Sequence, residues 1–430
     1  MERTTEKQNK KETTAAARCA VLPALLFCAF LAVFPLLSLL CPARDFSAVE
    51  NRPLAVFPAL SRESAVTGSW MTDFETYAAD HILFRDGFMS LKTAADKALF
   101  RKDNGKVYFG QAGYLFSVEE PDLKQEEQNL ALVSRFLLQA RQAGVEHTAV
   151  LLAPTAKSVL PEFLPACAPA SLEQAAVEKA KAALLAADPA LCFTDPAGDL
   201  AQAAHKSDTP IYYRTDHHWT TDGAYTAYRR WAQDNGFTPV PAGAFERTAV
   251  SDSFLGSLYS KAPDVFCKPD TIVRYTSARD PASDKTAAPE ILVWRSIAKP
   301  EQTGTKHSFY DEQALSKKDQ YAYFLGGNDP QLLIRTGADT GRRLLLIKDS
   351  YANCMIPFLA LHYDEITVTD LRYSHGRVLP APSADTAAAA QNGSDSAAGH
   401  GFTDVLILYN IESFAGDRNL AYLTQLKLGD

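Results

Sequence analysis

The chain has 430 residues, 47% of them apolar and 22% charged, and a formal net charge of −8. That balance predicts at least one sizeable core, in two or three domains or one large α/β domain with insertions. It disfavours a nucleic-acid partner, which would be met by a basic patch or stripe, and leaves only a local basic groove for one.

Residues 1–18 are polar and hold Arg3, Lys7, Lys10, Lys11 and Arg18 against Glu2, Glu6 and Glu12. Residues 19–43 then carry no charge at all, and about 20 apolar residues suffice to cross a bilayer core. Pro23 and Pro35 are tolerated better in a membrane helix than in a soluble one. The excess of Lys and Arg predicts a cytoplasmic tail, a single-pass cell-membrane anchor and an extracytoplasmic body from residue 44. A signal segment is the alternative, with Cys41-Pro42-Ala43 as a poor cleavage site. The cysteines of the body, Cys167, Cys192, Cys267 and Cys354, show no CxxC spacing. They imply neither a disulfide framework nor a zinc site, although a Cys167–Cys192 bridge is allowed.

Residues 44–70 are proline-rich and read as a linker or surface wrap, and 71–100 show helical spacing. "KVYFGQAGYLF" predicts a hairpin turning at Gln111-Ala112-Gly113. Residues 44–135 are taken together as a segment packing on a main α/β domain over 136–430. There "EEQNLALVSRFLLQARQAG" is an amphipathic helix stopped by Gly144, and "HTAVLLAP" a buried strand. "SLEQAAVEKAKAALLAAD" and "ALCFTDPAG" repeat that rhythm, as do "RRLLLIKDS", "YANCMIPFLALHY", "EITVTDL" and "DVLILYNI" near the end. Helix alternating with buried strand is the pattern of a parallel α/β sheet. Residues 240–335 are irregular, with strand character at "TIVRYTS" and "EILVWRS". Residues 379–400 are rich in Ala, Ser and Pro and read as a mobile surface loop.

Two stretches carry chemistry. In "LLLIKDSYANC" a buried strand ends and Lys348-Asp349-Ser350 turn toward a helix, so Ser350 sits where open α/β sheets place their sites. Helix-start amides there would suit a developing oxyanion. The competing role for Ser350 is an N-cap, and Pro357 predicts a late or bent helix. In "TDHHW" an extended backbone would put Asp216 and His218 on one face and His217 on the other. Asp216 would fix the tautomer of His218, the general base for Ser350. Thr220 to Asp222 are capping candidates for the helix of "GAYTAYRRWAQDNG". Two further readings stand beside the triad. One is a histidine pair stacked with Trp219, the other a metal held by Asp216, His218 and Asp349. No HExxH supports the metal, and no cofactor is expected.

"ENRPLAVFPAL", "DHILFRDGF", "GYLF", "TDHHWT", "FLGSLYS", "YAYFLGGNDP", "IKDSYANCMIPFLALHYDEITVTDLRY" and "LILYN" together resemble the DHHW protein family, over about residues 48–412. That family is similar to the SGNH-hydrolase-like proteins of alginate O-acetylation. The resemblance implies a permuted, flavodoxin-like SGNH fold with irregular β-containing insertions. It implies a D-x-H motif at Asp216 and His218 with Ser350 as nucleophile. Gly327 and Asn328 are candidate oxyanion donors, unless they form only a Gly-Asn turn. His217, Asp349 and Trp219 are expected at most to support these groups. Lys348 stands where a typical GDS motif has glycine, a departure that bears on the oxyanion geometry.

The resemblance implies acyl transfer onto an envelope polysaccharide, with a multispanning membrane O-acyltransferase as acyl supplier. Hydrolysis by a carbohydrate esterase is the close alternative. A non-catalytic glycan-binding or scaffold subunit is another, with Tyr212, Tyr213, Trp219, Tyr225 and Trp231 lining a groove. A metal-dependent hydrolase is the third.

Overall fold

The computed structural model describes residues 21, 23–38, 40–277, 289–295, 302–376 and 401–426. The predicted loop at 379–400 lies outside them, as do the cytoplasmic tail and residues 19, 20, 22 and 39 of the predicted anchor. Residues 23–38 are helical, and among the described residues no helix is long and apolar enough to cross a membrane.

The chain divides into two compact units, residues 1–95 with 263–265, and residues 96–262 with 266–430. In the first, the short strands β1 (Phe46–Ser47) and β2 (Arg52–Pro53) pair antiparallel. The helix Arg62–Thr67 forms inside the stretch expected to be linker, because Ser61 and Ser64 make a reciprocal capping box. Helices Ser69–His81 and Arg85–Ala98 follow, broken at Phe84, whose φ of 60° ends the predicted helical run. Arg52 grips the buried Asp80 at 2.9 and 2.5 Å.

The second unit begins with the predicted hairpin, β3 (Val107–Phe109) and β4 (Leu115–Ser117). Its sheet is built from β5 (His147–Ala153), β6 (Cys192–Thr194), β9 (Glu290–Trp294), β10 (Gly304–Lys306), β11 (Gln331–Arg335), β12 (Arg343–Lys348), β13 (Glu365–Thr369) and β14 (Asp404–Asn410). The strand order is β10-β9-β11-β13-β12-β14-β5-β6. The five strands from β13 to β6 run parallel. The expected all-parallel sheet is corrected at the other edge, where β11, β9 and β10 add antiparallel. The chain from β9 to β10 is too short for a parallel crossover, which needs a dozen or more residues. The fold is therefore a mixed α/β one. A separate antiparallel pair, β7 (Phe245–Phe254) with β8 (Asp270–Ser277), lies in the stretch read as irregular, where the strand character of "TIVRYTS" and "EILVWRS" appears as β8 and β9.

Alternation along the central strands supplies two cores. Leu344 and Leu346 of β12, with Ala149, Leu151 and Ala153 of β5, face the helix Thr221–Asp234, which contributes Tyr228 and Trp231. Leu345 and Ile347, with Val150 and Leu152, face Val133 and Phe136 of the helix Leu123–Gln142 and Val177 of Glu173–Ala187. Strands covered on both faces read as unbroken apolar runs, which is why they were legible. The helix Leu123–Gln142 starts where the Asp122 carboxylate accepts from the Lys124 and Gln125 amides.

Candidate active site

Ser350 follows directly on β12, at the carboxyl edge of the parallel strands. Asp349 takes the N-cap, its Oδ1 accepting from the Tyr351 amide at 2.8 Å. Its Oδ2 accepts from the backbone and side chain of Asn410 at 2.9 and 3.0 Å, tying the end of β12 to that of β14. Burial drives the Asp349 carboxyl upward, against these donors. The capping role weighed for Ser350 thus falls to its neighbour, and the serine hydroxyl is free for other work. A 3₁₀ turn, Ser350–Cys354, stands where a helix was expected, and the four-residue helix Ile356–Leu359 comes only after it, with Pro357 in its first turn.

His218 Nε2 lies 2.8 Å from Ser350 Oγ, and His218 Nδ1 lies 2.5 Å from Asp216 Oδ1. Asp216 and His218 are 3% and 5% exposed. Burial opposes ionisation of Asp216. The charges of His218 and His217, with hydrogen bonds from His218 and the Ser257 amide, outweigh it and hold the carboxyl far below the usual range. A serine hydroxyl, an imidazole and a carboxylate thus stand in one hydrogen-bonded line.

The loop is bent rather than extended, so His217 does not take the opposite face. Its ring lies 3.9 Å from that of His218, and its Nδ1 is 2.6 Å from Ser257 Oγ. Burial and the neighbouring His218 push its pKa below the ordinary value. Trp219 is fully buried, donating Nε1–H to Tyr351 O at 3.0 Å. Tyr351 in turn donates its hydroxyl to His217 O. Thr220 caps the helix Thr221–Asp234 by accepting from the Gly223 amide.

Several groups that hold the site escaped sequence reasoning. The Ser257 amide donates to Asp216 Oδ2 at 2.7 Å. Gly256 lets that backbone approach, since a Cβ there would lie 2.5 Å from Asp216 Oδ2 and 2.7 Å from Cγ. Asp270 accepts from the Arg214 and Thr215 amides at 2.9 and 2.8 Å and from Thr215 Oγ1 at 2.7 Å, fixing the loop just before Asp216. Tyr321 stacks on the His218 ring at 3.7 Å and 8°, and its hydroxyl donates to Ser350 O at 3.1 Å. "FLGSLYS" carries Gly256 and Ser257 and "YAYFLGGNDP" carries Tyr321, while Asp270 lies in neither, and no local pattern gives any of them partners.

Gly327 has a φ of 97°, and its amide donates to Phe324 O at 3.3 Å. Asn328 Oδ1 accepts from Lys348 Nζ at 2.8 Å and from Asn353 Nδ2 at 3.1 Å. Of the two residues, only Asn328 keeps donor hydrogens outside these bonds, on its Nδ2.

Asp216, His217 and His218 offer three ligand atoms within 4.8 Å of one another. Asp349, expected beside them in the metal reading, is engaged with Asn410 instead. His218 Nδ1 and Nε2 lie against Asp216 and Ser350, and His217 Nδ1 against Ser257 Oγ, so each of these nitrogens has a protein partner. Tyr212, Tyr213, Trp219, Tyr225 and Trp231 are all 7% exposed or less. The aromatic groove of the scaffold reading is therefore part of the core. Cys167 and Cys192 are free, so the bridge allowed between them is not formed.

Fold and geometry together define a class: a mixed α/β protein with a hydrogen-bonded Ser–His–Asp array at the ends of its parallel strands. Within it, the family model described as "DHHW protein" matches residues 200–369, a span holding Asp216, His217, His218, Trp219 and Ser350. The resemblance read from the sequence stands. Among curated relatives, the probable alginate O-acetylase AlgJ of Pseudomonas aeruginosa is 26% identical over 240 residues, 53% of this chain and 60% of the relative. The match thus spans well under two thirds of that relative's length. A DHHW family protein from Eubacterium siraeum superposes with a TM-score of 0.53 at 19% identity, covering 76% of this chain and all of that one. Bacillus cereus PatB1, solved with a sulfonyl adduct, gives 0.52 at 18%, covering 73% of this chain and 98% of its own. At such identities these structures speak for the fold.

Proposed function

We propose that this chain is a cell-envelope serine O-acyltransferase that acetylates a polysaccharide through an acyl-Ser350 intermediate. The observation that carries the reading is the Asp216–His218–Ser350 line at 2.5 and 2.8 Å. His218 Nε2 takes the Ser350 proton as Oγ attacks the acyl carbonyl, and Asp216 stabilises the imidazolium that forms. Collapse of the tetrahedral intermediate returns the proton to the leaving group. A sugar hydroxyl then gives its proton to His218 and takes the acyl group, and His218 returns that proton to Ser350 Oγ as the acyl–Oγ bond breaks. Water in that position makes the same site an esterase.

The alginate O-acetylase relative supports acetyl as the group and a polysaccharide as acceptor. Residues 19–43 would hold the domain at the membrane with its body outside, where a multispanning acyltransferase would supply acyl groups. The uncharged run in that segment supports this arrangement.

The test uses the full chain in detergent, with an activated acetyl ester and, separately, an aryl sulfonyl fluoride. Intact mass and peptide mapping should find each adduct on Ser350. Ser350→Ala and His218→Ala should each lower turnover by about 10⁴ to 10⁶. A wild-type chain that neither turns over ester nor takes the sulfonyl group would sink the proposal. Labelled acetyl appearing on glycan rather than as free acid separates transfer from hydrolysis.

A further inference from the structure

Lys348 is the last residue of β12, two before Ser350, and is 1% exposed. Its Nζ donates to Asn353 Oδ1 at 2.7 Å and to Asn328 Oδ1 at 2.8 Å. It faces Asp370 Oδ2 at 3.7 Å. That carboxylate is shared, since Arg372 binds it in a two-pronged contact at 2.9 and 2.6 Å. An apolar side chain in such a place is often as stable as a buried charge or more so. Stability therefore does not explain the ammonium, and its geometry does.

An ammonium has donors and no acceptor. Both carboxamides must therefore turn their oxygens toward Nζ and their NH₂ groups away from it. Asn353 uses its Nδ2 on Asn328 Oδ1 at 3.1 Å. The Asn328 oxygen thus receives two bonds, while its own NH₂ makes none of the bonds within the cluster. Gly326 and Gly327, with φ of 77° and 97°, form the left-handed turn that delivers Asn328 to this spot. Asn353 sits in the 3₁₀ turn that starts at Ser350, so cluster and nucleophile share one short segment.

We propose that Lys348 is a positioning residue: it locks the Asn328 carboxamide so that Nδ2 serves the acyl oxygen that becomes negative at Ser350. This rests on the acyl-serine reading above. Without the ammonium, the Asn328 oxygen keeps only the Asn353 bond, and the carboxamide can turn to present that oxygen, which repels an oxyanion.

Burial lowers the Lys348 pKa to about 8. The charged groups facing it are Asp370 and Arg372 beyond β13, Asp329 beside Asn328, and Asp349 of its own turn. Deprotonated, the amine gains a lone pair that can accept from an amide, and the lock loosens.

The experiment measures ester turnover by the full chain from about pH 6 to about pH 9.5, beside its thermal unfolding. Lys348→Met should lower kcat by about 10² to 10³, the loss typical of one missing oxyanion donor, with little change in KM. Asn328→Asp should fall by a similar factor, although it keeps the oxygen that Lys348 binds. Lys348→Met with Asn328→Ala should be no worse than the poorer single variant. The wild-type rate should decline above about pH 8, and Lys348→Met should lose that limb, while Lys348→Arg keeps part of the activity without it.

Near-wild-type kcat in Lys348→Met or Asn328→Asp overturns the inference, as do losses that multiply in the double variant. Should Lys348→Met fail to fold, Asn328→Asp and the wild-type alkaline limb decide. A wild-type chain inert toward both ester and sulfonyl fluoride removes the acyl-serine reading itself, a result distinct from any of these.

Discussion

Gly256→Ala tests whether the approach of one backbone segment sets Asp216 against His218. The added Cβ would lie 2.5 Å from Asp216 Oδ2 and 2.7 Å from its Cγ, where an ordinary contact begins near 3.4 Å. Asp216 Cβ would be closer still, so relieving the clash takes a displacement of about 1 Å or more, of either the Asp216 side chain or the segment Gly256–Ser257. Either movement breaks the Ser257 amide bond of 2.7 Å and disturbs the Asp216–His218 contact of 2.5 Å. A misplacement of about 1 Å at a catalytic array costs about 10² in rate, or roughly 2.7 kcal/mol of barrier. Overpacking a buried site costs a further ~1 to 3 kcal/mol of stability. Acylation rates by stopped flow, with a thermal melt on the same sample, read both quantities. A variant that acylates within about threefold of wild type would show that Asp216 is not held by this approach, and the geometric argument for the site would fail.

Tyr321→Phe keeps the ring on His218 and loses the hydroxyl bonds to Ser350 O at 3.1 Å and Cys354 Sγ at 3.4 Å, so a stability loss of about 1 kcal/mol and a near-normal rate are expected. Tyr321→Leu frees the imidazole face, and kcat should fall by about tenfold or more with KM held; equal rates in the two variants would remove the stack from the mechanism. His362 tests linkage. Tyr228 Oη accepts from the Val240 amide at 2.9 Å and meets His362 Nε2 at 2.8 Å, so its hydrogen is left for a neutral imidazole. Burial, aided by Arg342, lowers the His362 pKa from 6.5 to about 4. Between those values the unfolded chain binds a proton that the fold refuses, so stability drops as pH falls. His362→Gln should flatten that part of the stability–pH curve, and an unchanged slope would reassign it to another group.

What the sequence determined by itself rests on short-range physics. Apolar runs flanked by turns became β5, β12, β13 and β14, because strands buried on both faces tolerate few polar residues. Caps such as Asp122 and Thr220 act within three residues of themselves, and the Asp-x-His spacing set Asp216 beside His218. Tertiary structure decided everything that spans the chain. His218 and Ser350 are 132 positions apart, Thr215 and Asp270 are 55, and Asp216 and Ser257 are 41. The bend that brings His217 against His218 and the antiparallel edge of β9, β10 and β11 were equally hidden. So was the cluster that holds Lys348, a residue that read only as a departure from a motif. A buried polar group takes its meaning from the partner that satisfies it, and chain topology, rather than local pattern, chooses that partner.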